Sequence, residues 1–337
     1  MKNEIRSLQI VRAVAAISVV LNHLIGASPG SYLFFTRSIG NVGVDLFFVL
    51  SGLIMIYTLR EEETSWSFLK KRIIRIYPTY FVLSLPIAIY FIYKNNPSIA
   101  DIVSNITLIP QINNSFDRFN IVNWTLIFEM YFYIIMSFSL LFSKNKWVIA
   151  LITSAIIISI MALLPNSGTL AYVDLSMKSV VSDYIIVDFI FGMFIGLYLN
   201  SKPLIFSSGP FRPLASAALF VISSLLMTFS SEFDFSNNPQ IKTLILSGIP
   251  SAIIVIMISK YNSQGYVFAK LKEIGDASYS IYLTHTSIRL VAWRFESTTI
   301  RLFFSVVAIF FGVICHLLIE KRILNFFKKN KKPKIYN

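Results

Sequence analysis

The sequence predicts an all-α, polytopic integral membrane protein with about ten transmembrane helices, and three observations carry that expectation. Apolar residues make up 55% of the 337 and charged residues only 14%, which is more hydrophobic surface than one soluble core of this length can hide. The apolar residues fall into stretches of about twenty, the length that matches the hydrocarbon core of a bilayer. Lysines and arginines gather in alternate connections between those stretches, the bias that sets membrane orientation.

Spans are expected at about 8–27, 39–59, 74–93, 122–142, 147–164, 180–199, 213–230, 241–259, 276–292 and 302–319. The first contains Arg12, ends with His23, lacks a small-residue cleavage pattern and is followed at once by further spans. It therefore reads as a retained helix and not a signal peptide. The second carries Asp45, and the third follows the basic stretch KKRIIRIYP. The fourth opens with Trp124 and holds Glu129, the fifth to eighth rest on hydropathy alone, the ninth holds His285, and the last ends at His316 and Glu320. Pro78, Pro86 and Pro250 lie in or near spans, where a proline can kink the helix. The spans use nearly all of the length, so residues 1–337 read as one membrane-embedded domain with a basic tail at about 320–337.

Ten crossings put both termini on one side. With the N-terminus cytoplasmic, 21 of the 30 basic residues fall inside and eight outside or at the outer edge, Arg12 lying within the first span. The bias makes both termini cytoplasmic. It also explains the net charge of +13 as orientation plus a tail that anchors to anionic lipid, with no nucleic-acid partner. Cys315 is the sole cysteine, so an intramolecular disulfide and a cysteine-built zinc cluster are excluded. No internal repeat of the kind that builds many secondary transporters is evident.

Ionisable groups at membrane depth are costly and so mark candidate function. Arg12 and His23 are eleven residues apart, close to three full turns, so they share a helical face about 16 Å apart along the axis. Topology puts His23, Asp45 and Glu129 in the outer half of the membrane, and an imidazole beside a carboxylate is the usual equipment of a general base. The same set would also serve as buried ion pairs that hold helices together. On the inner side Arg72 and Arg75 project from one face at the mouth of the third span. Guanidinium groups suit a phosphorylated ligand, although a basic cluster there also follows from topology alone. His285 lies in its span with Tyr279 and Tyr282, and His316 with Glu320 reads as an interfacial pair. Three histidines on separate spans without HExxH spacing argue against a metal site.

Five segments, in order along most of the chain, resemble the acyltransferase 3 family of bacterial membrane acyltransferases. They are LQIVRAVAAISVVLNH ending at His23, NVGVDLFFVLSGLIM at 41–55, FLKKRIIRIYPTYF at 68–81, NWTLIFEMYFYI at 123–134 and IGDASYSIYLTH at 274–285. The LQ opening and the WTLIFEM stretch are most similar to the exopolysaccharide O-acetyltransferase branch. The resemblance implies transfer of an acyl group, commonly acetyl from acetyl-CoA, to a sugar hydroxyl. It makes Arg12 and His23 essential polar residues of the first span and Arg72 and Arg75 the arginine pair. Asp45, Trp124, Glu129, Tyr282 and His285 fall within the family's motifs. The chain departs from some members at Ser7 to Val11, where they carry an acidic residue and Gly, and at Glu320, which Lys321 and Arg322 follow in place of a proline. It also lacks the C-terminal esterase-like domain that some members carry.

The expectation is thus a membrane-bound O-acyltransferase of the bacterial inner membrane that binds no cofactor and takes acetyl-CoA as donor co-substrate. Arg12, Arg72 and Arg75 would hold the CoA phosphates. His23, oriented by Asp45 or Glu129, would take the proton of the sugar hydroxyl, and an acyl-histidine intermediate stays open beside direct transfer. Trp124, Tyr282 and His285 would bind the acceptor, a hydroxyl of exopolysaccharide, capsule or lipopolysaccharide O-antigen, or of its lipid-linked oligosaccharide precursor. Membrane lipid and polysaccharide-assembly proteins are the other expected partners. The rival expectation is a proton-coupled secondary transporter or flippase in which His23, Asp45, Glu129 and His285 relay protons.

Overall fold

A computed structural model describes residues 6–25, 35–112, 117–164, 175–201, 210–230, 238–261 and 265–329. These residues form fifteen α-helices, interrupted by two π turns, and no β-strand. In order the helices are α1 (Arg6–Ile25), α2 (Phe35–Thr58), α3 (Ser65–Asn95), α4 (Ile99–Thr107), α5 (Asn123–Ser139), α6 (Lys146–Leu163), α7 (Met177–Ser182) and α8 (Ile186–Ser201). They continue with α9 (Phe211–Thr228), α10 (Pro239–Thr243), α11 (Ile249–Ser259), α12 (Tyr266–Asp276), α13 (Ser278–Ala292), α14 (Thr298–Cys315) and α15 (Lys321–Lys329). The end of the basic tail, residues 330–337, lies outside the described residues.

Among the described residues seven helical units are long and apolar enough to cross a membrane: α1, α2, α3, α6, α9, the α10–α11 unit and α14 continuing into α15. The other three expected spans fall on the shorter apolar helices α5, α8 and α13, of 17, 16 and 15 residues. They sit in the interior, where Phe132 of α5 stacks on Phe189 of α8 with ring centroids 3.7 Å apart, and a helix that is apolar all round belongs there.

The polarity of the outer helices is inverted relative to a soluble protein. Helix α9 buries Ser216, Ser223 and Ser224 while exposing Leu214, Val221, Ile222 and Leu225. Small hydroxyl residues facing neighbours, with apolar residues facing outward, is the arrangement that lipid selects. Together with the apolar helices it makes the chain a multi-pass membrane protein.

Close approach of backbones fixes the central pair, α2 and α8. A Cβ on Gly52 would overlap the carbonyl oxygen of Phe189, and one on Gly192 would overlap that of Val49. Against this pair pack α1, α9 and α11, while α13 lies between α1 and α14 and also touches α3. Helix α3 is capped by Thr64, whose hydroxyl accepts from Ser67 N, and it runs unbroken through Pro78 and Pro86. Pro250 instead follows the π turn Leu244–Gly248. Proline has no N–H to offer the carbonyl four residues back, and here that carbonyl, Leu246 O, accepts from Ser223 Oγ of α9.

Candidate active site

Helices α1, α2, α3, α5 and α13 enclose an open cavity of about 880 Å³. Arg12, Arg72, Arg75, Glu129, Ser51, Tyr133, Tyr279, Tyr282 and Thr125 all line it. Sequence spacing explains the convergence: Arg72 and Arg75 share one face of α3 at i, i+3, and Glu129 and Tyr133 share one face of α5 at i, i+4. Because α3 begins at Ser65, the arginines lie two to three turns inside the helix. A basic residue well inside a helix carries its charge on a long apolar stem that can lie along the wall. The Arg72 guanidinium does so between the Phe68 ring at 5.2 Å and the Tyr133 ring at 5.7 Å.

Glu129 belongs with the arginines. Its Oε1 accepts from Ser51 Oγ at 3.1 Å and from Tyr133 OH at 3.0 Å, and its charge acts on both Arg12 and Arg72. Arg12 itself donates to Gln9 Oε1 at 3.4 Å and feels Arg75 and Glu320 as well. The cavity wall therefore carries three cations within the field of Glu129 and Glu320, with donor capacity left for an anionic ligand. Glu320, expected at the interface, is instead buried in the second π turn, His316–Glu320. It accepts from Ser280 Oγ at 2.6 Å and from His316 Nδ1 at 2.7 Å.

His23 has a partner that the sequence did not suggest. His23 Nδ1 lies 2.8 Å from His285 Nε2, and His285 Nδ1 lies 3.0 Å from the carbonyl oxygen of Ile281. A carbonyl only accepts, so His285 Nδ1 carries the hydrogen, and His285 Nε2 then accepts from His23 Nδ1–H. The remaining nitrogen of His23, Nε2, is left with its lone pair, as a general base requires. The partners that the structure sets against His23 are thus His285 and, through it, the Ile281 carbonyl, and not Asp45 or Glu129. The pair lies one turn beyond Tyr282 on α13, whose ring is 5.9 Å from that of His285 and whose hydroxyl meets Thr125 Oγ1 at 2.8 Å at the cavity wall. Trp293 Nε1 donates to the backbone oxygen of His23 at 3.0 Å and Arg289 stacks on the Trp293 ring at 3.8 Å. Arg118, in the segment leading to α5, is held below the usual guanidinium pKa by burial.

Asp45 makes no hydrogen bond to this pair. It is buried beside Asp188 and Ser247 and lines a second cavity of about 550 Å³ together with Trp124, Asp183 and Gln240. Its expected role in orienting His23 is thus corrected, because the neighbouring helices of α2 differ on its two faces. The arginine cavity runs along the stripe Val44, Phe47, Ser51, Ile54, and Asp45 points away from it. Asp188 escaped the sequence reading although the same signal, a lone carboxylate in an apolar helix, marks it as clearly as Asp45. Ser51, Thr125 and Trp293 carry no such signal; only packing reveals them.

Comparison with known proteins places these residues in a wider context. Residues 5–321 match the family described as acyltransferase domain. The exopolysaccharide production protein ExoZ of Rhizobium meliloti (strain 1021) is 28% identical over 269 residues, covering 76% of this chain and 78% of that protein. No solved structure matches.

Proposed function

The chain belongs to the acyltransferase domain family, and from that premise we propose that it transfers an acyl group, acetyl being the one to test first, from acyl-CoA to a hydroxyl of a surface polysaccharide. The similarity to a protein of exopolysaccharide production supports the acceptor class. The observation that carries the reading is one cavity with Arg12, Arg72 and Arg75 along its wall and Tyr282 leading to the His23–His285 pair.

In this mechanism the three arginines hold the phosphates of CoA from the cytoplasmic side, and the pantetheine arm lies along the cavity between α2 and α5. Glu129 keeps the cations from repelling one another while the donor is absent. The thioester reaches the Tyr282 end. There His23 Nε2 takes the proton from the acceptor hydroxyl as its oxygen forms a bond to the acyl carbon. The C–S bond then breaks, and the proton passes to the CoA thiolate. His285, fixed by the Ile281 carbonyl, holds the reacting tautomer and shares the positive charge that develops on His23. The basic residues on alternate connections support an inner-membrane location with both termini cytoplasmic.

The test is consumption of acetyl-CoA by the purified protein in vesicles supplied with extracted surface polysaccharide. Turnover that disappears in His23→Ala is the expected result. A folded wild-type protein that consumes no acyl donor with any such acceptor would overturn the reading.

A further inference from the structure

The second cavity differs in chemistry from the first, and the two abut. Val44 lines both, and Trp124, which lines the second, precedes Thr125, which lines the first. The second cavity is built by the N-terminal halves of α2, α5 and α8 together with α10, which contribute Asp45, Trp124, Asp188 and Gln240 in turn. Asp45 and Asp188 are each 1% exposed and lie within hydrogen-bonding reach of one another, with Ser247 beside Asp45, while Asp45 Oδ2 and Asp188 Oδ1 make no close hydrogen bond among the described residues. Space for the Asp188 carboxylate exists because residue 248 is glycine; a Cβ there would collide with Asp188 Oδ1.

These properties restrict the ligand. Two buried carboxyl groups side by side share a proton, so the pair offers an acceptor and a donor together, the pattern that a hydroxyl group matches. With Asp183 also on the wall, an anion is repelled, which separates this cavity from the phosphate-binding one. Trp124 contributes a flat apolar surface, braced edge-on by Phe128 at 6.0 Å between centroids, on which the C–H face of a ring can lie. The cavity is open on one side, so its roughly 550 Å³ runs on into solvent and a ring of a longer polymer need only enter it in part.

We infer that this cavity is an acceptor subsite that holds a neutral, hydroxyl-rich sugar ring adjoining the one that is acylated. The inference rests on the acyl-transfer reading for its place in the reaction but not for the binding itself. Sugar hydroxyls exchange hydrogen bonds with the Asp45–Asp188 pair, and the ring stacks on Trp124. The shared wall at Val44 sets the neighbouring ring of the polymer against the thioester end of the first cavity. Asp45 is then an acceptor-binding residue.

The experiment uses the full-length protein in nanodiscs, with methyl β-glucoside and methyl β-galactoside as neutral probes, methyl glucuronide as an anionic one, sodium and calcium chloride as cations, and CoA as the probe of folding. Binding is read by saturation-transfer NMR. At least one neutral glycoside is expected to bind the wild type, and its affinity to fall at least tenfold in Trp124→Ala and in Asp188→Asn but little in Trp124→Phe. The glucuronide should bind more weakly, and CoA binding should persist in each variant. Absence of neutral-glycoside binding to the wild type, affinity that both variants retain, or binding of cations alone overturns the inference. Polysaccharide acylation with an unchanged acceptor KM in both variants also overturns it, while leaving the acyl-transfer reading intact. Glycoside binding that the variants lose, in a protein that transfers no acyl group, removes the acyl-transfer reading and upholds the sugar subsite.

Discussion

His23 Nδ1 sits 2.8 Å from His285 Nε2, with the two rings within 11° of parallel. Since Ile281 O fixes the hydrogen of His285 on Nδ1, this contact decides which nitrogen of His23 is basic. His285→Ala should therefore lower kcat by about 10²- to 10⁴-fold, the range of a general-base contribution, with little change in the KM for acyl-CoA. His23→Ala should abolish turnover altogether. Initial-rate kinetics, with thermal melting to confirm folding, make the check: a His285→Ala enzyme with normal kcat would dissociate His285 from the reaction.

Arg72 is gripped between Phe68 and Tyr133, whereas Arg75 is exposed within the cavity wall. Lysine has neither the planar fork nor the stacking surface of arginine, so Arg72→Lys should behave almost as badly as Arg72→Gln. Each loss of a charge-assisted contact is worth about 1.5–3 kcal/mol, or roughly 10- to 150-fold in the apparent affinity for acyl-CoA. Titration of CoA against the three proteins measures it directly. Equal affinity for wild type and Arg72→Gln would place the phosphates elsewhere.

Glu129 offers a sharper contrast between two roles. As a counter-charge to Arg12 and Arg72, its replacement by Gln leaves cations facing one another, so the unliganded protein should melt at a lower temperature. Added CoA phosphates should restore much of the loss, because ligand binding to the folded state is itself stabilising. As an orienting group for His23, Glu129→Gln would instead cut kcat and leave melting unaltered. Melting curves with and without CoA separate the two outcomes.

The sequence made some of this legible and not the rest, for identifiable reasons. Arg12 with His23, and Arg72 with Arg75, could be paired because both members of each pair lie on one helix, where periodicity fixes their facing. The His23–His285 contact joins residues 262 positions apart, and no periodicity connects α1 to α13. Asp45 and Glu129 were grouped with His23 by depth in the membrane alone. Depth says nothing about which side of a helix faces which neighbour, so one carboxylate went to the arginines and the other to the acidic cavity. For α5, α8 and α13, likewise, apolar composition reports burial as well as lipid contact.

The α2–α8 contact gives a prediction about assembly. The backbones meet at Gly52 and Gly192, where any Cβ overlaps a carbonyl of the partner helix. Gly192→Val should push the helices apart and cost more than about 4 kcal/mol, the range reserved for core disruption. Gly265, whose added Cβ would meet nothing within 4 Å but whose φ is +104°, should suffer only local strain on substitution. Detergent-solubilised yield and melting temperature of the two variants should differ accordingly, and a well-folded Gly192→Val protein would refute the close packing.

The π turn before Pro250 gives the last. Pro250 cannot bond Leu246 O, and Ser223 Oγ of α9 takes the vacant acceptor instead. Ser223→Ala should leave that carbonyl unpaired at membrane depth, at a cost of about 1–3 kcal/mol. Pro250→Ala restores an N–H, so the double variant should recover part of the loss, and the two effects should be non-additive because they share one acceptor. The same turn carries Ser247 and Gly248 beside the Asp45–Asp188 cavity. Regularising it with Pro250→Ala should therefore weaken glycoside binding while leaving CoA binding as it was. Simple additivity of the two substitutions in a melting-based double-mutant cycle would show that Ser223 and Pro250 act independently, and the proposed link between the turn and the cavity would fail with it.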